Sequence, residues 1–503
     1  MLKDPLHSLV FKLTLLIVST IVACRITNGY ASIAVALIGA FGALRGNAGI
    51  SLLVLMLLPL LSLINPLILP KISFFSMVSR LATLSIVGGL VLGGAKRRGQ
   101  EKLPLGSVFF FLVIALISSF QGYFPIISYF KIINFAAFIL GIYIGTQNID
   151  QRPKDLFFIR AGFIAIGYVL IWGSLATLPF PSVAYFTSVN SVIAHNGLDA
   201  AEEVLGSVEG FGLFTGITVH SQFLGPCLAC FGGWIACDML FVEKRIRLLH
   251  LLLLVPIPIM IAMTRSRAGM FTFCMLIIFL VFYCMPRINL PNKQRHWINS
   301  ILISFVFVFI AVAIVSEVQR GSISRLLRKQ RDISEDDRSL LRAITNSRQG
   351  KIAECLNDFH KNPLWGTGFQ VTKEHRQLFQ QGKISLFSAS IEKGLLPLMV
   401  LGETGIIGTI AFLVFLFMFF HDASRKGYTA TITLFLTLLV SNMAESTFFS
   451  PGGGGGVFWI VTVCGGFLID MNIKTPSLKS PAALGKAPQN PYRRTRIPLK
   501  PAI

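Results

Sequence analysis

The sequence predicts an all-α polytopic membrane protein with about fourteen transmembrane helices and one large outer-face loop subdomain. Three observations carry that prediction. Hydrophobic residues make up 53% of the 503-residue chain. Charged residues make up only 14%, where soluble domains hold about 25%. The apolar residues also fall in blocks of roughly 16 to 24, the length at which a helix crosses a hydrocarbon core of about 30 Å. Mean hydropathy is +0.70. Short alternating strands of the barrel kind are absent from the pattern.

The elements follow in order. Blocks near 8–25, 29–44, 50–69, 74–94, 105–120, 126–146 and 157–177 form an N-terminal bundle over 1–177. The stretch 178–217 is an outer loop with Asp199, Glu202, Glu203 and Glu209 and no Lys or Arg. Blocks near 218–237, 247–264, 268–285 and 299–317 form a central membrane region, 218–317. The stretch 318–394 is hydrophilic and large enough to fold as a small subdomain. Blocks near 395–420, 428–447 and 455–472 complete the membrane part, 395–472, and 473–503 is a basic tail. The first block has no small-residue cleavage site and leads into further spans, so it reads as a span and not as a removed signal.

Orientation comes from the short loops. "AKRRGQEK" at 95–102, "QRPK" at 151–154, "VEKRIR" at 242–247 and "PRINLPNKQR" at 286–295 fall on one side, which the positive-inside bias makes cytoplasmic. Both termini then lie inside and the two long loops outside. The net charge of +22 is largely that same bias, and the tail suits anionic headgroups. It carries no recognised nucleic-acid module, so no nucleic-acid partner is expected. Of the eight cysteines, Cys227 and Cys230 form a CxxC without a second pair or a nearby His; they read as helix packing, and no metal or other cofactor is expected.

Chemistry-bearing residues gather on the outer side. The turn "TRSRAG" at 264–269 holds Arg265 and Arg267 at the membrane boundary, either as headgroup anchors or as phosphate ligands. "FTGITVHSQFLGP" at 214–226 places His220 at the outer end of a span, where an imidazole can donate, accept or take a proton near neutral pH. In the large loop, "SEDD" at 334–337 starts a helix that runs toward Phe359 and stops before Pro363, with Asn346 and Gly350 able to bend it. At 100° per residue, Leu341, Ile344, Ile352, Cys355 and Phe359 share one apolar stripe, and Arg348 sits in it about 20° from Leu341. That arginine is either a snorkelling or ion-paired residue or a guanidinium turned toward an anion. "SIEKGLLPLMVLGETGIIG" at 390–408 sets Glu392 and Lys393 before a span and Glu403 about two turns inside it. Glu445 lies near the outer end of the next span, before "PGGGGG" at 451–456. Both glutamates are costly in a bilayer and face the protein interior, as ion pairs or as site groups.

These segments resemble the O-antigen ligase and O-antigen polymerase superfamily. "TRSRAG" is similar to its Ser-Arg-small-Gly turn. "FTGITVHSQFLG" is similar to its glycine-then-His-Pro-Asn motif, with Ser221 and Gln222 in place of Pro and Asn. "SRQGKIAECLNDFHKNPLWGTGF" and "LGETGIIG" resemble its Arg–helix–Asn-Pro–Gly-x-Gly and Glu-x-Gly-x-x-Gly patterns. The resemblance covers about 205 to 470. It implies a glycosyltransferase of the bacterial inner membrane that moves a glycan from a polyprenyl-pyrophosphate carrier to a hydroxyl acceptor on lipid A core, growing polysaccharide or protein, at the periplasmic face. It implies pyrophosphate binding by arginines, here Arg265, Arg267 and Arg348, and no nucleotide sugar or metal; Glu403, in the matching glutamate segment, and Glu445, from its place at the end of a span, are the further substrate-binding candidates. The family's His-Asn before its glutamate is missing; that window reads Glu392-Lys393-Gly394, so Glu392, with Lys393 beside it, or His220 takes the acceptor-activating role. A transporter or flippase of lipid-linked glycan, or a non-enzymatic assembly protein, stands as the alternative.

Overall fold

A computed structural model describes residues 5–70, 72–94, 102–150, 153–185, 213–244, 247–264, 266–288, 300, 304, 349–372, 395–443 and 447–474. Among these residues the protein is all-helical, with one isolated antiparallel bridge between Ile64 and Thr218. The N-terminal half comprises α1 (Pro5–Ile26), α2 (Ala31–Leu44), α3 (Ala48–Leu61), α4 (Ile72–Gly94), α5 (Gly106–Ser119), α6 (Pro125–Asp150) and α7 (Pro153–Ala176). Then come α8 (Ser221–Cys237), continued by a π turn to Glu243, α9 (Leu248–Leu254), α10 (Pro256–Thr264) and α11 (Arg267–Phe279). The rest is α12 (Gln349–Lys361), α13 (Leu396–Arg425), α14 (Thr429–Asn442), α15 (Gly454–Trp459) and α16 (Gly465–Lys474).

The expected fourteen membrane helices are corrected to eight long apolar ones among the described residues. These are Pro5–Ile26, Phe74–Gly93, Pro125–Ile149, Lys154–Ala176, Ser221–Glu243, Arg267–Arg287, Leu396–Arg425 and Gly454–Ile473. Five other apolar blocks form shorter helices: Ala31–Leu44, Ala48–Leu61, Gly106–Ser119, Leu248–Thr264 and Thr429–Asn442. A helix rises about 1.5 Å per residue, so 14 residues reach about 21 Å, short of a 30 Å core. Apolar content marks each block, but local stops end it early. Asn47 caps α3, accepting from the Ile50 N–H at 3.3 Å, and so closes the turn after α2. The block at 299–317 lies largely outside the described residues.

The expected outer subdomain is corrected as well, since no separate loop subdomain is discernible among the described residues. The described part of 318–394 is α12 and the loop 362–372, and both pack into the membrane helices. Cys355, in the expected stripe, is buried and Ile352 and Phe359 are half-buried; a Cβ on Gly402 of α13 would lie 2.7 Å from the Cys355 carbonyl. The helix ends at Lys361, before Pro363, and Gly350 lies within it. The start expected at Ser334 lies outside the described residues.

Close backbone approach organises the bundle. Gly89 and Gly93 of α4 lie on α2, where a Cβ at Gly89 would meet the Ala43 Cβ at 2.8 Å. Small residues at such crossings are how membrane helices gain packing without a hydrophobic drive between them. One end of the bundle is pinned by charge. Arg160 of α7 donates from Nε and Nη2 to the two Asp238 oxygens, each at 2.8 Å. His250 Nε2 lies 2.9 Å from Asp238 Oδ2, and Glu243 pairs with both Arg160 and Arg247. The candidate site lies elsewhere, where α5–α6, α8, α11, α13 and the 447–453 turn converge.

Candidate functional site

The four segments singled out in the sequence pack as two couples. The first joins the starts of α8 and α11. Ser266 caps α11, its hydroxyl accepting from the Gly269 N–H at 3.2 Å. A Cβ on Gly269 would lie 2.6 Å from the Gly225 carbonyl carbon, and one on Gly225 would lie 2.6 Å from Ser266 Cβ. "TRSRAG" and "SQFLGP" thus need glycine on both sides of one crossing. Arg267 is the first residue of α11 and is half-buried. His220 is exposed, with extended backbone at the N-cap of α8. Its carbonyl accepts from the Phe223 and Leu224 N–H groups, each at 3.1 Å. The segment before it is held by Asn65 N–H to Ile217 O and Val219 N–H to Leu63 O, both 2.8 Å.

The second couple joins the 362–370 loop to a break in α13. Gly405 has φ 64° and ψ −165° inside that helix, which lifts it out of register. The break frees the Gly402 and Glu403 carbonyls, which accept from Thr367 N–H at 3.1 Å and Gly368 N–H at 3.0 Å. It also frees the Ile406 N–H, which donates to Pro363 O at 2.8 Å. Irregular backbone at membrane depth is tolerated where protein satisfies it, and each partner here satisfies the other. The glycines are required on both sides: Gly366 (φ 73°) abuts the Glu403 carbonyl, and Gly405 abuts the Leu364 carbonyl. From α5, the Ser118 hydroxyl bridges Trp365 O and Glu403 O.

Glu403 is 1% exposed, and its Oε2 accepts from the Gln370 N–H at 2.8 Å. The Gln370 carbonyl accepts from Lys131 Nζ at 2.7 Å, and its side-chain Nε2 donates to Phe449 O at 2.6 Å. Three residues beyond Phe449, a Cβ on Gly452 would lie 2.8 Å from Arg80 Nε. Lys131 is 6% exposed and Arg80 8%. Each sits inside a bilayer-length helix, where insertion scales charge about 2.5–3.5 kcal/mol for a basic residue at the centre. The 447–456 turn also bridges the two couples: Phe449 holds Gln370, while Gly454 lies against Phe223 of α8.

At the rim, the Tyr123 hydroxyl donates to Asp358 Oδ1 at 2.7 Å, and Lys361 Nζ donates to the same phenol oxygen at 3.1 Å. Burial, then the Asp358 carboxylate, pushes the Tyr123 phenol above its ordinary pKa, so it stays a donor. Asn362 Nδ2 donates to Gln121 Oε1 at 3.0 Å. These contacts seat α12 on the α5–α6 turn.

Of the expected site residues, Arg267, His220 and Glu403 are described, the first two in one couple and Glu403 in the other. Arg265, Arg348, Glu392, Lys393 and Glu445 lie outside the described residues. Arg80, Lys131 and Gln370 were not expected. Arg80 and Lys131 did carry a signal: each is an ionisable residue in the first third of an apolar block, 74–94 or 126–146, and an ionisable residue within a span is a site candidate by default. Gln370 carried none. Among the described residues no three His, Cys, Asp or Glu side chains gather as a metal set.

Long apolar helices around a buried polar loop define a polytopic membrane protein with an ionisable site in its helical part. Residues 249–413 match the family model described as O-antigen ligase. That range contains the turn at 264–269, α12, the 362–372 loop and the break at Gly405; it leaves out His220, Lys131 and Arg80. No curated protein and no solved structure matches the chain.

Proposed function

We propose that this protein is a membrane glycosyltransferase that moves a glycan from a polyprenyl-pyrophosphate carrier to a hydroxyl acceptor at the outer, periplasmic face. The observation that carries the reading is the interlock of the 362–370 loop with the α13 break, inside the region that matches the O-antigen ligase family. Two segments far apart in sequence build one buried polar feature there, with glycines that tolerate no side chain. The further polar segment at Arg267 and Ser266 belongs to the same matched region.

In this reading the diphosphate is the leaving group. The C–O bond from the anomeric carbon to the carrier phosphate breaks, the acceptor oxygen bonds to that carbon, and the acceptor proton passes to a base. Such chemistry needs fixed positive charge where the leaving group gains negative charge, and a group to take the proton. Arg265, Arg267 and Arg348 are assigned the first task, since a guanidinium fork fits phosphate oxygens. Glu403 and Glu445 are assigned to substrate binding, and Glu392, with Lys393 beside it, or His220 to the acceptor proton. No nucleic-acid partner enters the scheme.

The test is transfer by purified protein from a polyprenyl-pyrophosphate-linked glycan, with folding followed by thermal stability. Charge-assisted contacts are worth about 1.5–3 kcal/mol, so Arg348→Ala should stay folded and lose at least about tenfold in transfer, roughly 1.4 kcal/mol. Arg348→Lys keeps the charge and loses the fork, and should recover part of the loss. In the same assay, loss of turnover in Glu392→Gln with donor affinity retained assigns the base to Glu392; unchanged turnover moves it to His220. Near-wild-type transfer in Arg348→Ala would sink the pyrophosphate clamp. Uptake of labelled lipid-linked glycan by proteoliposomes, without transfer in detergent, would favour a transporter.

A further inference from the structure

Among the described non-glycine residues, Asn28, Lys244 and Gln370 have left-handed backbone. Asn28 and Lys244 are exposed, while Gln370 is 6% exposed, at φ 54°. A side chain in that region costs roughly 1–2 kcal/mol and persists only where surroundings over-determine it. Here three contacts from three parts of the chain do so: Glu403 of α13 on the N–H, Lys131 of α6 on the carbonyl, and Phe449 on the side-chain amide. One residue earlier, the Phe369 carbonyl is held at 3.0 Å by the neutral Ser128 hydroxyl. A neutral donor therefore suffices to fix a carbonyl of this loop. At Gln370 the donor is instead an ammonium buried in a bilayer-length helix, which is the costlier choice.

We propose that Lys131 is a positioning residue for Glu403: its ammonium holds the Gln370 carbonyl, which keeps Gln370 left-handed and its N–H on Glu403 Oε2, so that the carboxylate keeps one orientation toward the substrate. The proposal rests on the transferase reading above and deepens it by giving the N-terminal bundle, outside the matched region, a part in the site. Lys131 itself need not touch substrate. Its removal lets Gln370 relax into ordinary backbone space, which swings the N–H off the carboxylate while leaving the loop tied by Thr367, Gly368 and Phe369.

Two measurements test it. The first is independent of activity: amide hydrogen exchange of the 366–371 segment, read by mass spectrometry on the full chain in detergent. Lys131→Met should speed exchange of the Gln370 amide within that segment at least about tenfold, with the Thr367 and Gly368 amides and distant helices unchanged, because exchange reports local opening. The second is a double-mutant cycle on transfer. Lys131→Met should lower kcat/KM at least about tenfold in the wild-type background and by less than about twofold in the Glu403→Gln background, since the group it positions is already lost. If Lys131→Met fails to fold, Lys131→Ala, which is smaller and also removes the donor, carries the same two measurements. Unchanged protection of 366–371 overturns the clamp. Lost protection with undiminished transfer, or an equal loss in both backgrounds, overturns the positioning role. A wild-type protein without transfer overturns the functional reading, and the exchange result then separates that failure from failure of the clamp.

Discussion

Gly366 and Gly350 differ by sixteen positions and by everything a methyl group would meet. Gly350 lies in the first turn of α12 with open space around its missing side chain. Gly366 has φ 73° and abuts the Glu403 carbonyl. Gly350→Ala should therefore be neutral or raise stability by roughly 0.5–1 kcal/mol, through helix propensity and reduced unfolded-state entropy. Gly366→Ala should lower it by at least about 1–2 kcal/mol from backbone strain alone, with the clash added. Thermal unfolding of the two variants in one detergent checks the sign of each; equal midpoints would refute the account of the 362–370 loop. At this scale the sequence was half legible. Buried charges in apolar blocks and the glycines of "GTG" and "GETG" stand out as letters. That Gln370 takes a glycine's conformation does not, because three contacts from elsewhere in the chain impose it.

Elements were legible by position and not by length. Every expected block that is described became helix, since an apolar run in lipid satisfies its backbone that way. The reach of 50–69 was misjudged because hydropathy does not register the turn at Asn65, whose backbone and side chain hold Ile217, Leu67 and Ile68 and follow a helix that stops at Leu61. The outer loop misled for another reason: a polar stretch reads as a free subdomain, while its 362–370 part spends its backbone groups on α13 and its Ser118 and Tyr123 contacts on α5–α6. The link between α7 and α8 is also an element-scale matter. Asp238 is buried, Arg160 is half-buried, and the two are doubly bonded. Removing Asp238 leaves Arg160 to the Glu243 carboxylate and takes the bonded oxygen from His250 Nε2, and breaking such a pair costs up to about 3–5 kcal/mol. Asp238→Ala should thus lower the unfolding midpoint strongly, and Asp238→Ala with Arg160→Met should recover much of the loss. A double variant no more stable than Asp238→Ala would show that packing, and not stranded charge, sets the cost.

At the scale of the whole molecule, the basic loops predict an orientation that labelling in cells checks. With both termini inside, a cysteine placed at Ser385 in a background free of reactive thiols should be labelled by an impermeant reagent from outside. Labelling only after the inner side is opened would reverse the protein and carry the proposed site with it. The matched region, 249–413, is also not a separable module. Lys131, Ser118 and the 447–453 turn complete its polar loop from outside its limits. Replacing that region alone between distant relatives would break those contacts even with every family motif intact.

The break at Gly405 bears on how the protein is made. The Gly402 and Glu403 carbonyls and the Ile406 amide find their partners in a loop that leaves the ribosome before α13 does. A translocon releasing α13 directly into lipid would release it with those groups exposed to hydrocarbon, at a cost of several kcal/mol each. The 362–370 loop, already seated on the α5–α6 hairpin, offers the arriving helix a ready acceptor and donor edge. The expected order of assembly is hairpin first, loop upon it, and then the broken helix beside both, ahead of α14–α16.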